Sequence, residues 1–282
     1  MEGKTLTTKN IEEFIRTLRS EEKSDATVDK YARDVTCFLR WCGEKTLCRE
    51  TVIEYKRHLA DSGYAVRSIN SMLASLNCYF AFIDRPELKV KSLKVQQQIF
   101  CPEEKELTRA EYERLCAAAE RSGNRRTSLI LQTICATGIR VSELQFITVE
   151  AVRRGAATVS CKAKTRTVFI VRSLQKKLLR YIAEQKLRSG AIFVTQNGKP
   201  INRTTVWREM KKLCGEAKVS SEKVFPHNLR HLFARVFYSL EKDIAKLADI
   251  LGHSSINTTR IYIMSTGTEH RRRMERMRLS VG

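Results

Sequence analysis

Apolar residues return every three or four positions along most of this chain, which commits it to amphipathic helices packed around shared cores. Ile11, Phe14, Ile15 and Leu18 open the pattern, and Val28, Tyr31, Val35, Phe38 and Leu39 continue it. Val52, Tyr55 and Leu59 mark a third helix; Ile69, Met72, Leu73, Leu76, Tyr79 and Phe80 mark a fourth. Thr7 or Thr8, and Ser24 ahead of Asp25, suit N-terminal caps. Four short helices with small connections predict a compact helical domain over residues 1–93. The rhythm loosens between Leu88 and Leu107 into a polar stretch interrupted by Pro102, and residues 94–106 read as a linker. Thr108, with Glu111 three positions on, restarts a helix through a capping box, so a second domain runs over 107–282. A length of 282 residues accommodates two modest domains with cores of their own.

The second domain is mixed. Leu129, Ile130, Leu131, Ile134 and Cys135 form an apolar helix that Gly138 stops. Ala156 to Val171 instead has strand composition on both sides of a basic turn, Lys162-Ala-Lys164-Thr-Arg166. Ala191–Thr195 reads as a further strand ending at Asn197-Gly198, and Asn202 opens an amphipathic helix. Two more helices follow, on Leu232, Phe233, Val236 and Phe237 and on Ile244, Leu247, Ile250 and Leu251, the latter closed by Gly252. The fold class expected is mainly α with a small antiparallel β-sheet in the C-terminal domain.

Charge divides the chain more sharply than hydropathy does. Residues 1–100 hold 17 Lys and Arg against 14 Asp and Glu, whereas residues 101–282 hold 35 against 17. A surplus confined to one domain implies a polyanion held against that domain, and nucleic acid is the natural one. The sequence has no apolar run of spanning length, and MEGKTLTTKN lacks the apolar centre of a signal peptide, so no membrane partner is expected. The nine cysteines include no Cys-x-x-Cys, and most neighbour apolar residues, which fits reduced thiols in a cytoplasm and no metal site.

The residues that carry chemistry fall in a fixed order. Arg140 and Glu143 lie in Thr137-Gly-Ile-Arg-Val-Ser-Glu-Leu; His227, Arg230 and His231 share one segment; His253 follows Gly252; Tyr262 sits between Ile261 and Ile263. Two arginines can clamp one phosphate through forked donors and neutralise the charge that grows on it. Alone, Arg140 would read as a surface arginine paired with Glu143, and Tyr262 as a packed core tyrosine. Together they suggest phosphoryl transfer by a protein nucleophile, since a phenol needs neighbouring cations to attack at neutral pH. His227, after Pro226 at a helix start, can accept the proton of an attacking hydroxyl. His231, one residue past Arg230, is expected to point elsewhere on the helix in a supporting role. Lys162 or Lys164, on the hairpin turn, can protonate a departing 5′ oxygen.

The motifs ATGIRVSEL, HNLRHLFA and LGHSSINTTRIYI, with nine residues from His253 to Tyr262, resemble those of the tyrosine recombinases, or phage-type integrases. The likeness spans about Leu107 to Tyr262, and the helical N-terminal segment is similar to the family's core-binding domain. It implies catalytic residues at Arg140, Lys162, His227, Arg230 and His253, with Tyr262 the nucleophile and Glu143 and His231 supporting. Lys164 is the alternative hairpin lysine. It further implies a two-domain, C-shaped clamp on double-stranded DNA, a 3′-phosphotyrosyl intermediate, and strand exchange through a Holliday junction. The assembly implied is a homo-tetramer on two DNA sites, or one shared with a second recombinase, without metal, ATP or other cofactor. The protein would be cytoplasmic and nucleoid-associated in a bacterial, phage or mobile-element setting. With no room before Thr7 for a further DNA-binding arm, the compact Xer-like or transposon type is expected. Ile263-Met264 departs from the Thr-His that often follows the nucleophile. The basic tail around His270 could dock on a neighbouring protomer or track DNA. A type IB topoisomerase and a catalytically silent DNA-binding regulator are the competing readings. A regulator would lack a site residue, and none is missing.

Overall fold

A computed structural model of the chain describes residues 8–95, 103–161, 164–195, 197–264 and 267–277. The chain divides into two compact units, Met1–Gln97 and Gln98–Gly282. The first contains α1 (Thr8–Ser20), α2 (Asp25–Cys42), α3 (Arg49–Asp61) and α4 (Val66–Phe82), matching the apolar spacing. Phe14, Val35, Phe38, Leu73, Leu76, Tyr79 and Phe80 form its core. Phe14 meets Tyr79 edge-on at 5.2 Å, and Phe38 meets Phe80 likewise at 5.8 Å. A charged group enters this core with its partners: the buried Asp34 carboxylate accepts from Lys30 and from the buried Ser75 hydroxyl, so its charge is compensated. After α4, two asparagines one heptad apart clamp the outgoing backbone. Asn77 exchanges both amide bonds with Val90, and Asn70 does the same with Leu93.

The second unit begins earlier than composition suggests. The Lys105 carbonyl accepts from Asn228, Glu106 pairs with Arg235, and Leu107 is buried, so the connection ends before these residues. Thr108 caps α5 (Arg109–Arg121) with the full capping box: its hydroxyl accepts from Glu111 N at 3.2 Å, and its own N–H reaches the Glu111 carboxylate at 2.8 Å. α6 (Arg125–Thr137) ends at Gly138 in the left-handed conformation. A 3₁₀ turn over Val141–Phe146 and α7 (Val149–Arg154) lead to the hairpin of β1 (Ala156–Cys161) and β2 (Lys164–Phe169). Its register sets Ala157 opposite Val168, and Val159 opposite Arg166. Ala157, Val159 and Val168 are buried while Thr158, Thr167 and Phe169 are exposed, the alternation a one-sided sheet demands. The basic turn is shorter than expected, because Lys164, Thr165 and Arg166 belong to β2.

Then come α8 (Arg172–Glu184), α9 (Arg203–Lys212), α10 (Cys214–Ala217), α11 (Pro226–Glu241), α12 (Ile244–Leu251), α13 (Ile256–Tyr262) and α14 (Gly267–Met277). The expected strand over Ala191–Thr195 does not form. Ala191 and Val194 make only isolated bridges, to Thr148 and Pro200, and the adjacent Ile192 and Phe193 are both buried rather than alternating. A run buried on all sides carries strand composition without a strand's pairing. Ile130, Ile134, Leu144, Val152, Leu178 and Leu229 anchor the main core. A smaller cluster of Ala234, Leu247, Leu251 and Tyr262 lies under α11 to α13. Seven of the cysteines, among the described residues, are free thiols, of which Cys42 and Cys214 are buried and Cys37 is exposed. No helix among the described residues is long and apolar enough to cross a membrane.

Candidate active site

α11 starts with Pro226 at its first position, and His227, Arg230 and His231 follow at the spacing of one helix face. Arg230 is 1% exposed, a burial no guanidinium tolerates without acceptors. Its Nη1 donates to the Gly138 carbonyl at 2.5 Å, and its Nη2 to the Leu251 carbonyl at 2.6 Å and His253 Nε2 at 2.9 Å. Burial, then the charge of Arg140, pulls its pKa down to about 10, so it stays a cation at neutral pH.

Two further arginines reach the same helix end. Arg166 Nε donates to the Ile250 carbonyl at 3.1 Å, and Arg140 Nη2 to the Gly252 carbonyl at 3.3 Å. Three consecutive carbonyls at the C-terminus of α12 therefore receive Arg166, Arg230 and Arg140, from three different elements. Such carbonyls lack helix partners and carry the negative end of the dipole, so cations suit them. Glu143, 1% exposed, supplies the carboxylate. It accepts from Arg140 N at 2.7 Å and Nη1 at 3.0 Å, and from Arg166 Nη1 and Nη2 at 3.0 and 2.7 Å. Burial alone would raise the Glu143 carboxyl, but these bonds outweigh it and hold the group below its ordinary range.

Tyr262, the last residue of α13, is 6% exposed and surrounded by rings. His231 stacks on it at 4.2 Å between centroids with planes 14° apart. His253 lies at 5.0 Å and His227 at 5.1 Å, the latter edge-on, and the Arg230 guanidinium carbon sits 5.7 Å from the ring centre. Gly252, left-handed at φ +64°, ends α12 and delivers His253 to this spot. His253 Nδ1 lies 2.8 Å from the hydroxyl of the buried Thr259. Because arginine only donates, His253 Nε2 must accept from Arg230, which leaves the proton on Nδ1, facing Thr259. Burial, then Arg230 and Arg140, lowers the His253 pKa to about 4. Burial, then His227 and Arg230, does the same for His231. His227, though exposed at the surface, is lowered by desolvation, then by Arg230, Arg203 and Arg140. All three imidazoles are neutral at pH 7 and lie beside fixed cations, a setting that favours an anion.

The structure thus brings Arg140, Glu143, His227, Arg230, His231, His253 and Tyr262 into one cluster. Lys162 lies outside the described residues, and Lys164 opens β2 opposite Cys161. His231 differs from expectation: four residues after His227, it shares that face and makes the shortest ring contact with Tyr262 among the described residues. Sequence reasoning missed Arg166 and Thr259. Arg166 has a signal, since it falls in register with the buried Val168 and so faces inward. Thr259 has a weaker one, a hydroxyl one helical turn before Tyr262.

Comparison with known proteins agrees with this geometry. Residues 105–269 match the phage integrase family model, and residues 11–86 match the model of the phage integrase N-terminal SAM-like domain. Tyrosine recombinase XerA of Pyrococcus furiosus is 30% identical over 288 residues, covering 99% of this chain and 97% of that one. The XerH site-specific recombinase bound to its difH substrate in a pre-cleavage complex superposes with a TM-score of 0.70 at 19% identity, over 94% of this chain and 84% of that one. A lambda integrase tetramer bound to a Holliday junction gives 0.72 at 18% identity, over 90% and 76%. At such identities these two speak to the fold. The family models and the nearly full-length likeness to XerA establish that this chain belongs to the phage integrase family of tyrosine recombinases, the enzymes of site-specific DNA recombination.

Proposed function

We propose that Tyr262 attacks the scissile phosphate of a double-stranded recombination site, with Arg140 and Arg230 binding its non-bridging oxygens. The observation that carries this reading is the enclosure of one tyrosine ring by three neutral imidazoles and a buried guanidinium. In the step proposed, the Tyr262 oxygen forms the new bond to phosphorus and the bond to the 5′ oxygen breaks. His227 takes the phenolic proton, and Lys162, or Lys164 in its place, gives a proton to the departing 5′ oxygen. The product is a 3′-phosphotyrosyl ester and a free 5′ hydroxyl, and attack by the partner strand's hydroxyl reverses the chemistry on a new partner. The two arginines neutralise charge that grows at phosphorus, where one such donor is typically worth about 2.7–4 kcal/mol. His253 and Thr259 orient Arg230, while Glu143 and His231 hold Arg140 and Tyr262.

The assembly we propose is a tetramer of this chain on two DNA sites, of the kind the lambda integrase structure is named for. Its uses would be integration and excision of a mobile element, or resolution of dimers. The test is incubation with nicked duplexes tiled from the DNA flanking its own gene. A nick beside the cut lets the leaving strand diffuse away and traps an SDS-resistant adduct. The expected adduct disappears in Tyr262→Phe while DNA binding persists; an adduct that survives the substitution moves the nucleophile elsewhere. A 5′-thio leaving group, which needs no acid, should restore cleavage to whichever of Lys162→Ala and Lys164→Ala has lost it.

A further inference from the structure

Arg166 is an arginine on the inward face of the hairpin, in register with Val159 across the strands. Its fork closes on both oxygens of Glu143, and its third donor holds the Ile250 carbonyl. Room has been left for it: a Cβ added at Gly252 would lie 2.9 Å from its Nη1. Arg140 shares the same carboxylate but is held differently. Its side chain is 37% exposed against 15% for Arg166, it makes a single guanidinium bond to Glu143, and its bond to Gly252 is long at 3.3 Å.

That asymmetry has a chemical consequence. Arg140 spends one guanidinium N–H on Glu143 Oε1 and one on the Gly252 carbonyl, and its remaining donors are what a phosphate can take. A buried carboxylate that loses its only cation is strongly unfavourable. Arg166 already donates to both oxygens of Glu143, so the carboxylate is compensated without drawing a second donor from Arg140. We infer that Arg166 is a positioning residue which occupies Glu143 and so releases Arg140 to bind the scissile phosphate. Without it, Glu143 would keep Arg140 for itself. This rests on the reading of Arg140 as a phosphate ligand.

The experiment compares cleavage of nicked duplexes that carry either the normal scissile phosphate or a methylphosphonate, whose methyl group replaces a charged oxygen. Arg140→Ala should slow cleavage of the normal phosphate by about 10²-fold or more, as loss of one such donor does, and recover on the uncharged substrate. Arg166→Gln should slow it by roughly 10–100-fold, the range typical of residues that orient a ligand, and recover on methylphosphonate in the same way. Removing the competing carboxylate should also help, so Glu143→Gln in the Arg166→Gln background should regain much of the lost rate on the normal phosphate. Arg166→Lys keeps a cation beside Glu143 and carries the same comparison should Arg166→Gln not fold. Equal slowing of both substrates by the Arg166 variants, with no gain from Glu143→Gln, would overturn the inference. Failure of Arg140→Ala itself to recover would instead overturn the role given to Arg140.

Discussion

Gly138 joins a helix end to the site, and replacing it with alanine should cost more than its backbone conformation alone explains. Its φ of +67° closes α6 with an N–H bond to Ile134, and alanine in that left-handed region is strained by about 1–2 kcal/mol. A Cβ there would also stand 2.5 and 2.6 Å from two ring carbons of Phe233 and 3.0 Å from a Leu251 methyl. Forcing a carbon into a packed core typically costs a further ~1–3 kcal/mol. The sum is a loss of about 2–5 kcal/mol. Gly123, in the same unit, separates the two causes: its φ is +70°, but a Cβ there meets nothing within 4 Å. Urea unfolding of both alanine variants should therefore show Gly123→Ala losing only the backbone part. Phe233→Leu in the Gly138→Ala background should regain part of the excess, a coupling that a double-mutant cycle reads directly. Cleavage should fall as well, since the Gly138 carbonyl is an acceptor for Arg230. If Gly138→Ala unfolds at the same urea concentration as Gly123→Ala, the packing of Phe233 against this turn is not what limits the position.

Acid should weaken the catalytic unit through its histidines. His231 and His253 titrate near 4 in the folded state, below the ordinary value of 6.5, so the unfolded chain binds protons first as pH falls. Stability from the neutral rings is complete above about pH 6.5 and is lost toward pH 4. Urea midpoints taken from pH 7.5 to 4.5 should decline, and less so in His231→Phe; a flat profile would contradict the burial of these rings. Glu143→Gln keeps the shape of the side chain but leaves Arg140 and Arg166 without their anion, and should destabilise the unit by about 3 kcal/mol. A loss under 1 kcal/mol in urea unfolding would show that the two cations do not depend on it. Thr108→Ala should cost about 1 kcal/mol by removing the cap of α5, with no change in cleavage rate.

The helices were legible because their signals are local. Thr108 with Glu111, Asn202 accepting from Thr205, and the glycines at 138 and 252 act within one turn of chain. The site order was legible for a related reason: Arg140, His253 and Tyr262 each sit at or beside an element end that the same signals mark, and Arg230 lies one turn into the helix that Pro226 opens. What could not be read was which side chains share a partner across elements. Glu143 was foreseen as the mate of Arg140, but its second mate comes from a strand 23 residues later. Ile192 and Phe193 misled because burial on every side resembles a strand in composition. His231 misled because counting from Arg230 hides its four-residue spacing from His227.

The meeting of three guanidiniums at one helix end also bears on how durable this fold can be. Arg140, Arg166 and Arg230 face one carboxylate, Glu143, and three backbone carbonyls, which orient charge but do not cancel it. Burial first, and then the charge of Arg140, lowers the Arg230 pKa. These three like charges repel one another, and an anion held among them would offset that repulsion. If the arginines act as proposed, selection for catalysis here opposes selection for a durable fold, since a smaller cation count would relieve repulsion and weaken the hold on phosphate. Among relatives evolving toward heat tolerance, the repairs should accumulate away from α12, because stability gained at this helix end would come out of the reaction itself.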